Sequence, residues 1–112
     1  LGKERALDRA RKSKERGQEA WALRLLGEIS AQAAVPEVEK AEGHYSQALA
    51  LAEELGMRPL IAHCHVGLGK LYRRADDLKQ AKLHLTNSVA MMRAMEMRLW
   101  LERAAAELKE LA

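Results

Sequence analysis

The sequence predicts an all-α protein, built of about six antiparallel helices that form stacked helical hairpins in a solenoid. Hydrophobic residues make up 48% of the chain, only two of its 112 residues are proline, and phenylalanine is absent. Much of the apolar content is alanine and leucine, which are strong helix formers. Similar segments also recur about 40 residues apart, as expected for a stack of similar helical units.

Charge and cysteine usage limit the class of protein. The net charge is +3, and residues 1–17 carry seven basic side chains against three acidic ones. Such a helix could bind nucleic acid, although interleaved acids and bases are more typical of a solvated helix face. The single cysteine, Cys64, cannot form an internal disulfide, which favours a reducing cytoplasmic compartment. No apolar run approaches the roughly 20 residues of a membrane-spanning helix, so we expect no membrane association.

The first two helices are delimited by a glycine and a proline. A helix is predicted over residues 2–16 and ends at Gly17, because glycine is common at the C-terminal end of helices. A second helix is predicted over residues 18–33. It ends before Pro36, because the residue preceding a proline avoids helical angles.

The other four helices have similar boundary signals. Gly56 is expected to end the third helix, and Pro59 fits the first turn of the fourth. Asp77 is a candidate N-cap of the fifth helix, because its side chain can accept a hydrogen bond from a free backbone N–H group. The predicted ranges are 37–55, 59–74, 77–95 and 98–111.

The region 60–89 contains one hairpin with a recognisable order of residues. Its two helices carry the patterns His65-x-x-Leu68-Gly69-x-x-Tyr72 and Ala81-x-x-x-Leu85-x-x-Ser88. Gly69 would let a second helix come close, and Tyr72 would pack over the same face because residues three apart are neighbours on a helix. Gly69 is therefore expected to form the tight helix contact, whereas Gly67 should tolerate a side chain more readily.

This order of residues resembles the tetratricopeptide repeat, whose pattern is Trp-x-x-Leu-Gly-x-x-Tyr followed, after a turn, by Ala-x-x-x-Phe-x-x-Ala. His65, Leu85 and Ser88 stand at the aromatic and alanine positions of that pattern. The period near 40 is longer than the usual period of about 34. It is similar to the longer repeats in C-terminal arrays of bacterial signalling ATPases and cyclase-like regulators.

The repeats divide the chain into four parts of a single domain. Residues 18–56 and 57–96 are predicted to be two repeats. Residues 1–17 are predicted to be an orphan helix of a preceding repeat, and residues 97–112 a terminal helix. Because the sequence starts at Leu1, part-way into a helical pattern, we expect it to be a segment of a longer protein.

The resemblance implies a concave groove, lined by the first helix of each hairpin, that binds an extended or helical peptide. Residues three and four apart lie on one helix face, so four residues of the second predicted helix and four of the fourth would line it. An ordinary charged surface would have the same spacing. Basic side chains outnumber acidic ones in this set, so we expect an acidic ligand. The residues are Trp21, Arg24, Glu28, Gln32, His63, Lys70, Arg73 and Arg74.

Metal binding and catalysis have little support. His63 and His65 point about 200° apart on a helix, so they cannot share a metal ion with Cys64 between them. The serines and the cysteine have no recognisable base beside them, and no phosphate-binding loop is present. We therefore expect no metal, no cofactor and no enzymatic activity.

The function predicted from the sequence is non-catalytic protein–protein interaction, as a scaffold or regulatory part of a larger signalling protein. Two alternatives remain open: a basic helical nucleic-acid-binding domain that uses residues 1–17, and a fragment of a helical enzyme. We also expect a homodimer through the N-terminal helices, residues 1–30, because exposed apolar ends of stacked repeats tend to contact a second copy.

Overall fold

Five α-helices account for the secondary structure of residues 2–111, the range that the computed structural model describes. Side chains are described from residue 5 onward. Consecutive helices pack against each other, and the stack measures 57 × 32 × 20 Å. The predicted all-α helical-repeat class is therefore confirmed. None of the described helices is both long and apolar enough to cross a membrane. The helices are α1 (Gly2–Ala31), α2 (Val38–Leu55), α3 (Arg58–Arg74), α4 (Leu78–Ala94) and α5 (Arg98–Lys109).

The predicted count of six helices is wrong, because residues 2–31 form a single helix. Gly17 was expected to end a helix, but it lies inside α1. A glycine in a helix interior costs about 1 kcal/mol relative to alanine, which a helix of this length can absorb. A side chain at Gly17 would lie 3.7 Å from Met57, so α1 passes close to the α2–α3 turn at this point. Residues 2–17 of the predicted orphan helix are therefore part of α1, and residue 1 lies outside the described residues.

Three of the four turns share one backbone conformation. Gly56, Asp76 and Glu96 all have positive φ angles, of 69°, 61° and 56°, and they stand 20 residues apart. Asp77, which follows the second of them, accepts a hydrogen bond from the backbone N–H of Gln80 at 3.2 Å. The predicted end of α2 at Gly56 and the predicted cap at Asp77 are both confirmed. Helices α2, α3 and α4 are therefore each followed by one such turn.

Glycines allow close contacts within both hairpins. A Cβ atom at Gly69 of α3 would lie 2.5 Å from Cγ of Leu85 on α4. A Cβ atom at Gly27 of α1 would lie 3.0 Å from the ring of Tyr45 on α2. Gly69 has room only for hydrogen, as expected, and a side chain at Gly27 would require the Tyr45 ring to shift slightly.

The expectation for Gly67 is wrong. A Cβ atom there would lie 2.5 Å from Cζ and 2.9 Å from the hydroxyl oxygen of Tyr45. Because the same ring also faces Gly27, it cannot move away from α3 without approaching α1. Gly67 is thus a second close-contact glycine of α3, and it faces α2 rather than α4.

Three aromatic rings and a carboxylate link α2, α3 and α4. The Nδ1 atoms of His65 and His84 are 3.0 Å apart, so one imidazole must donate and the other accept. Tyr72 stacks on His84, and its hydroxyl donates to Glu42 of α2 at 2.6 Å. Burial lowers the pKa of His84, and burial followed by the nearby His84 lowers the pKa of His65. Both imidazoles are therefore neutral in the folded protein at pH 7.

We predict that alanine at Gly69 or Gly67 lowers the free energy of unfolding by about 1–3 kcal/mol, because each new methyl group overpacks a tight contact. The matched control is Gly43→Ala in α2, where a Cβ atom would meet nothing within 4 Å. That change should raise stability by about 0.5–1 kcal/mol, since alanine is the better helix former. Urea denaturation measures all three variants. Equal stability of Gly67→Ala and Gly43→Ala would contradict the Tyr45 contact.

We predict that the protein loses stability as the pH falls below about 6.5, the histidine pKa of an unfolded chain. The pKa values of His63, His65 and His84 are lowered by folding. The unfolded chain therefore binds protons first, and proton binding favours unfolding. The stability contributed by the neutral histidines is fully present above pH 6.5. It decreases as the pH falls, until the pH is below the folded-state pKa values.

Unfolding free energies measured across this pH range provide the test. In His84→Gln the unfolding free energy should change less with pH, because one titrating imidazole and its repulsion with protonated His65 are both removed. A slope unchanged in that variant would show that the histidine pair does not cause the effect.

Candidate functional site

A groove enclosing roughly 480 Å³ lies between α1, α3 and α5, and Tyr45 of α2 contributes to its floor. The volume is within the usual range of about 300–1,000 Å³ for ligand sites. Three of the four site residues predicted on the second helix and three of the four predicted on the fourth line it, and Gln32 lies one residue beyond the end of α1. These six residues are Arg24, Glu28, Gln32, His63, Lys70 and Arg74.

The other two predicted site residues lie beside the groove. Trp21 stands at one end, where its ring centroid is 6.2 Å from that of His63. Arg73 is directed towards α5, and its guanidinium group lies 2.9 Å from Glu107 and 2.6 Å from Glu110. Arg73 thus helps to hold α5 against α3, and a charge reversal there would place three carboxylates together.

Helix α5 forms one wall of the groove, which the sequence analysis did not predict. Its contribution includes Trp100, Arg103 and Glu107. A repeated motif could have indicated it: Trp21-x-x-Arg24 in α1 recurs as Trp100-x-x-Arg103 in α5. In both cases the arginine lies over the indole ring, with the guanidinium carbon 5.7 Å and 5.0 Å from the ring centroid.

A row of three aromatic rings, Trp21–His63–Trp100, crosses the groove from α1 to α5. The His63 and Trp100 rings meet edge to face, with centroids 4.7 Å apart. Trp21 and Trp100 are 40% and 39% exposed, so each indole keeps a free surface. Burial and then the positive charge of Arg24 lower the pKa of His63, so the central ring of the row is uncharged at pH 7.

The groove has an excess of positive charge, with four cations and two carboxylates among its lining residues. Arg24 pairs with Glu28 at 2.7 Å, while Lys70 lies 3.9 Å from Glu107. The remaining two cations keep their charge without a carboxylate partner among the described residues. Arg74 donates to the backbone carbonyl of Ala31 at the end of α1, and Arg103 covers Trp100.

The floor of the groove has no activated nucleophile. Burial raises the pKa of Tyr45 to about 12, so its phenol is neutral and can act as a hydrogen-bond donor. Burial also raises the pKa of the nearby Cys64 thiol to about 11, which keeps it protonated and unreactive. Within the part of the chain that the structure describes, no group of three metal-ligating side chains is found. The arrangement is therefore suited to binding an anionic, partly apolar ligand.

Comparison with known proteins gives one match. A family model described as tetratricopeptide repeat matches residues 37–94, which cover α2, α3 and α4 and slightly more than half of the chain. No curated protein and no solved structure matches the chain significantly.

Proposed function

The chain belongs to the tetratricopeptide repeat family, and on that premise we propose that it binds an acidic segment of a partner protein in the groove between α1, α3 and α5. Repeats of this family generally mediate protein–protein interaction and are generally not catalytic. We propose for this chain that the groove is the binding site, that an acidic segment is its ligand and that the chain is not catalytic.

The main observation in favour is that side chains from α1, α3 and α5 converge on one groove. Six of the predicted residues and the Trp100–Arg103 pair line it together. Such a groove can hold a segment by contacts along its length, with arginine and tryptophan as the side chains that contribute most at protein interfaces.

Charge favours an acidic ligand. Arg74 and Arg103 have no carboxylate partner among the described residues, and a guanidinium group can bind a carboxylate through two parallel hydrogen bonds. A nucleic acid is less well suited to this groove, because Glu28 and Glu107 would lie against its phosphates. Residues 5–16 of α1 are exposed and carry six basic and two acidic side chains, but no aromatic residue lies among them.

We further propose that this module is a scaffold or regulatory part of a cytoplasmic signalling protein. The repeat period near 40 supports the signalling context, because it resembles that of regulatory arrays. The single, buried and protonated Cys64 is compatible with a reducing cytoplasm.

A displayed library of short random peptides tests the groove. We predict that the protein enriches acidic peptides and that Lys70→Gln combined with Arg103→Gln weakens their binding about tenfold or more, a loss of about 1.4 kcal/mol. Binding of the unmodified protein should also weaken with rising salt, since exposed charges are screened beyond about 8–10 Å. Isothermal titration calorimetry measures both effects.

The matched control for this pair is Lys79→Gln with Lys82→Gln, which removes two exposed charges from α4, outside the groove. It should bind the selected peptides as the unmodified protein does. Equal binding by the groove variant and the control would place the peptide site elsewhere, and a library without enriched peptides would argue against peptide binding altogether.

Self-association through α1 is a second proposal, supported by an exposed apolar face. Leu26 and Ile29 are 44% and 68% exposed. Their counterparts 42 residues later, Leu68 and Leu71 of α3, are buried against α2. The face of α1 is thus built like a helix-packing face, and no helix of the described residues covers it.

We predict that the protein forms dimers and that Leu26→Glu with Ile29→Glu makes it monomeric, because a buried carboxylate pair cannot be tolerated in an apolar contact. The control is Leu83→Glu on α4, where an exposed leucine stands away from α1. Sedimentation equilibrium measures the masses. An unmodified protein that stays monomeric at high concentration would refute the proposal.

A further inference from the structure

We propose that the acidic segment is anchored by an aromatic side chain, which packs on the row Trp21–His63–Trp100 while an acidic residue next to it binds Arg103. This inference rests on the proposed function and specifies the ligand of the same groove. The ligand would thus be recognised through two adjacent side chains, one aromatic and one acidic.

The first support is the placement of the tryptophans. The chain contains two tryptophans, one on α1 and one on α5, and both belong to this row. Each is more than one-third exposed, although tryptophan is mostly buried in folded proteins. Aromatic pairs in edge-to-face or offset-stacked geometry contribute beyond the apolar area that they bury. A ring in the ligand would therefore gain more from this row than an aliphatic side chain of similar size.

The second support is the arginine that accompanies each tryptophan. A guanidinium group stacked on an indole is restrained in orientation, yet the N–H donors at its edge remain directed outward in the plane. A carboxylate of the ligand can accept hydrogen bonds from those donors, while the aromatic residue next to it in the ligand contacts the indole. The Trp-x-x-Arg motif of α5 therefore presents a ring and an anion site side by side, whereas Arg24 in the α1 copy is already paired with Glu28.

The third support is the neutral centre of the row. His63 lies between the two indoles and is partly buried, with Arg24 close by. An uncharged imidazole offers a ring edge and face, but no strong site for a carboxylate. The apolar surface is thus in the middle of the row and the unpaired cation, Arg103, is at its Trp100 end, which matches an aromatic residue with an acid on one side.

The test starts from peptides that the unmodified protein enriches from the random library. They should contain phenylalanine or tyrosine next to aspartate or glutamate. Replacing that ring by leucine in a synthetic peptide should weaken binding about tenfold, whereas replacing a distant residue should not. Since both tryptophans lie in the row, binding should change the intrinsic tryptophan fluorescence without any added label.

Two protein variants locate the anchor. Trp100→Leu and, separately, Trp21→Leu should reduce the preference for the aromatic over the leucine peptide, while Leu99→Ala, an exposed neighbour on α5, should keep it. Because preference is a ratio measured within one variant, a general loss of affinity does not imitate this result. Circular dichroism checks that each variant is folded. Arg103→Gln leaves both rings in place, so it should weaken the binding of acidic peptides and retain the preference for an aromatic residue.

The outcomes separate this inference from the proposed function. No enriched peptide would refute both. Acidic peptides without a shared aromatic residue would leave the proposed function standing and overturn the aromatic anchor, as would aromatic peptides that leave tryptophan fluorescence unchanged. A single-stranded oligo-dT that displaces the peptides and binds more tightly would overturn the anchor in favour of base stacking.

Discussion

The contact of Tyr45 with two glycines determines how the first three helices can pack. The ring leaves α2 and passes between α1 and α3, and it meets Gly27 on one side and Gly67 on the other. A side chain at Gly67 would occupy the space of the ring and one at Gly27 would press against it, so the spacing of α1 and α3 depends on both. Because α1 and α3 are also two walls of the groove, this buried contact sets the width of the candidate site and puts a phenol at its floor.

Helix α5 combines a packing role with a role in the groove. It completes the groove with Trp100 and Arg103, and its carboxylates hold Lys70 and Arg73 of α3. Exposed ion pairs of this kind contribute little stability individually, about 0–1 kcal/mol. The apolar contacts of Leu101, Ala104 and Leu108 with α3 and α4 therefore contribute most to docking α5. The ion pairs instead orient α5 and neutralise part of the groove, which leaves Arg74 and Arg103 as the available anion sites.

The helices and much of the groove were predictable because they depend on local signals. Gly56 and Asp77 mark helix ends through backbone geometry that a few residues decide. Gly17 misled the prediction, since a glycine's preference for helix ends is weaker than the continuity of a long helix. The role of Gly67 and the orientation of Arg73 could not be predicted, because each depends on a residue from another helix: Tyr45 in one case, Glu107 in the other.

The repeated turns also have a consequence for how this sequence can vary in length. Pro36 lies 20 residues before Gly56, at the place where the other turns have a residue with positive φ. Proline is fixed at a φ of about −65°, so the first hairpin cannot use that turn and has a longer connection instead. Adding one residue within a helix would rotate everything beyond it by about 100°, which would misalign its apolar face. Insertions and deletions among related chains should therefore accumulate in the Pro36 loop rather than within the helices or in the three uniform turns.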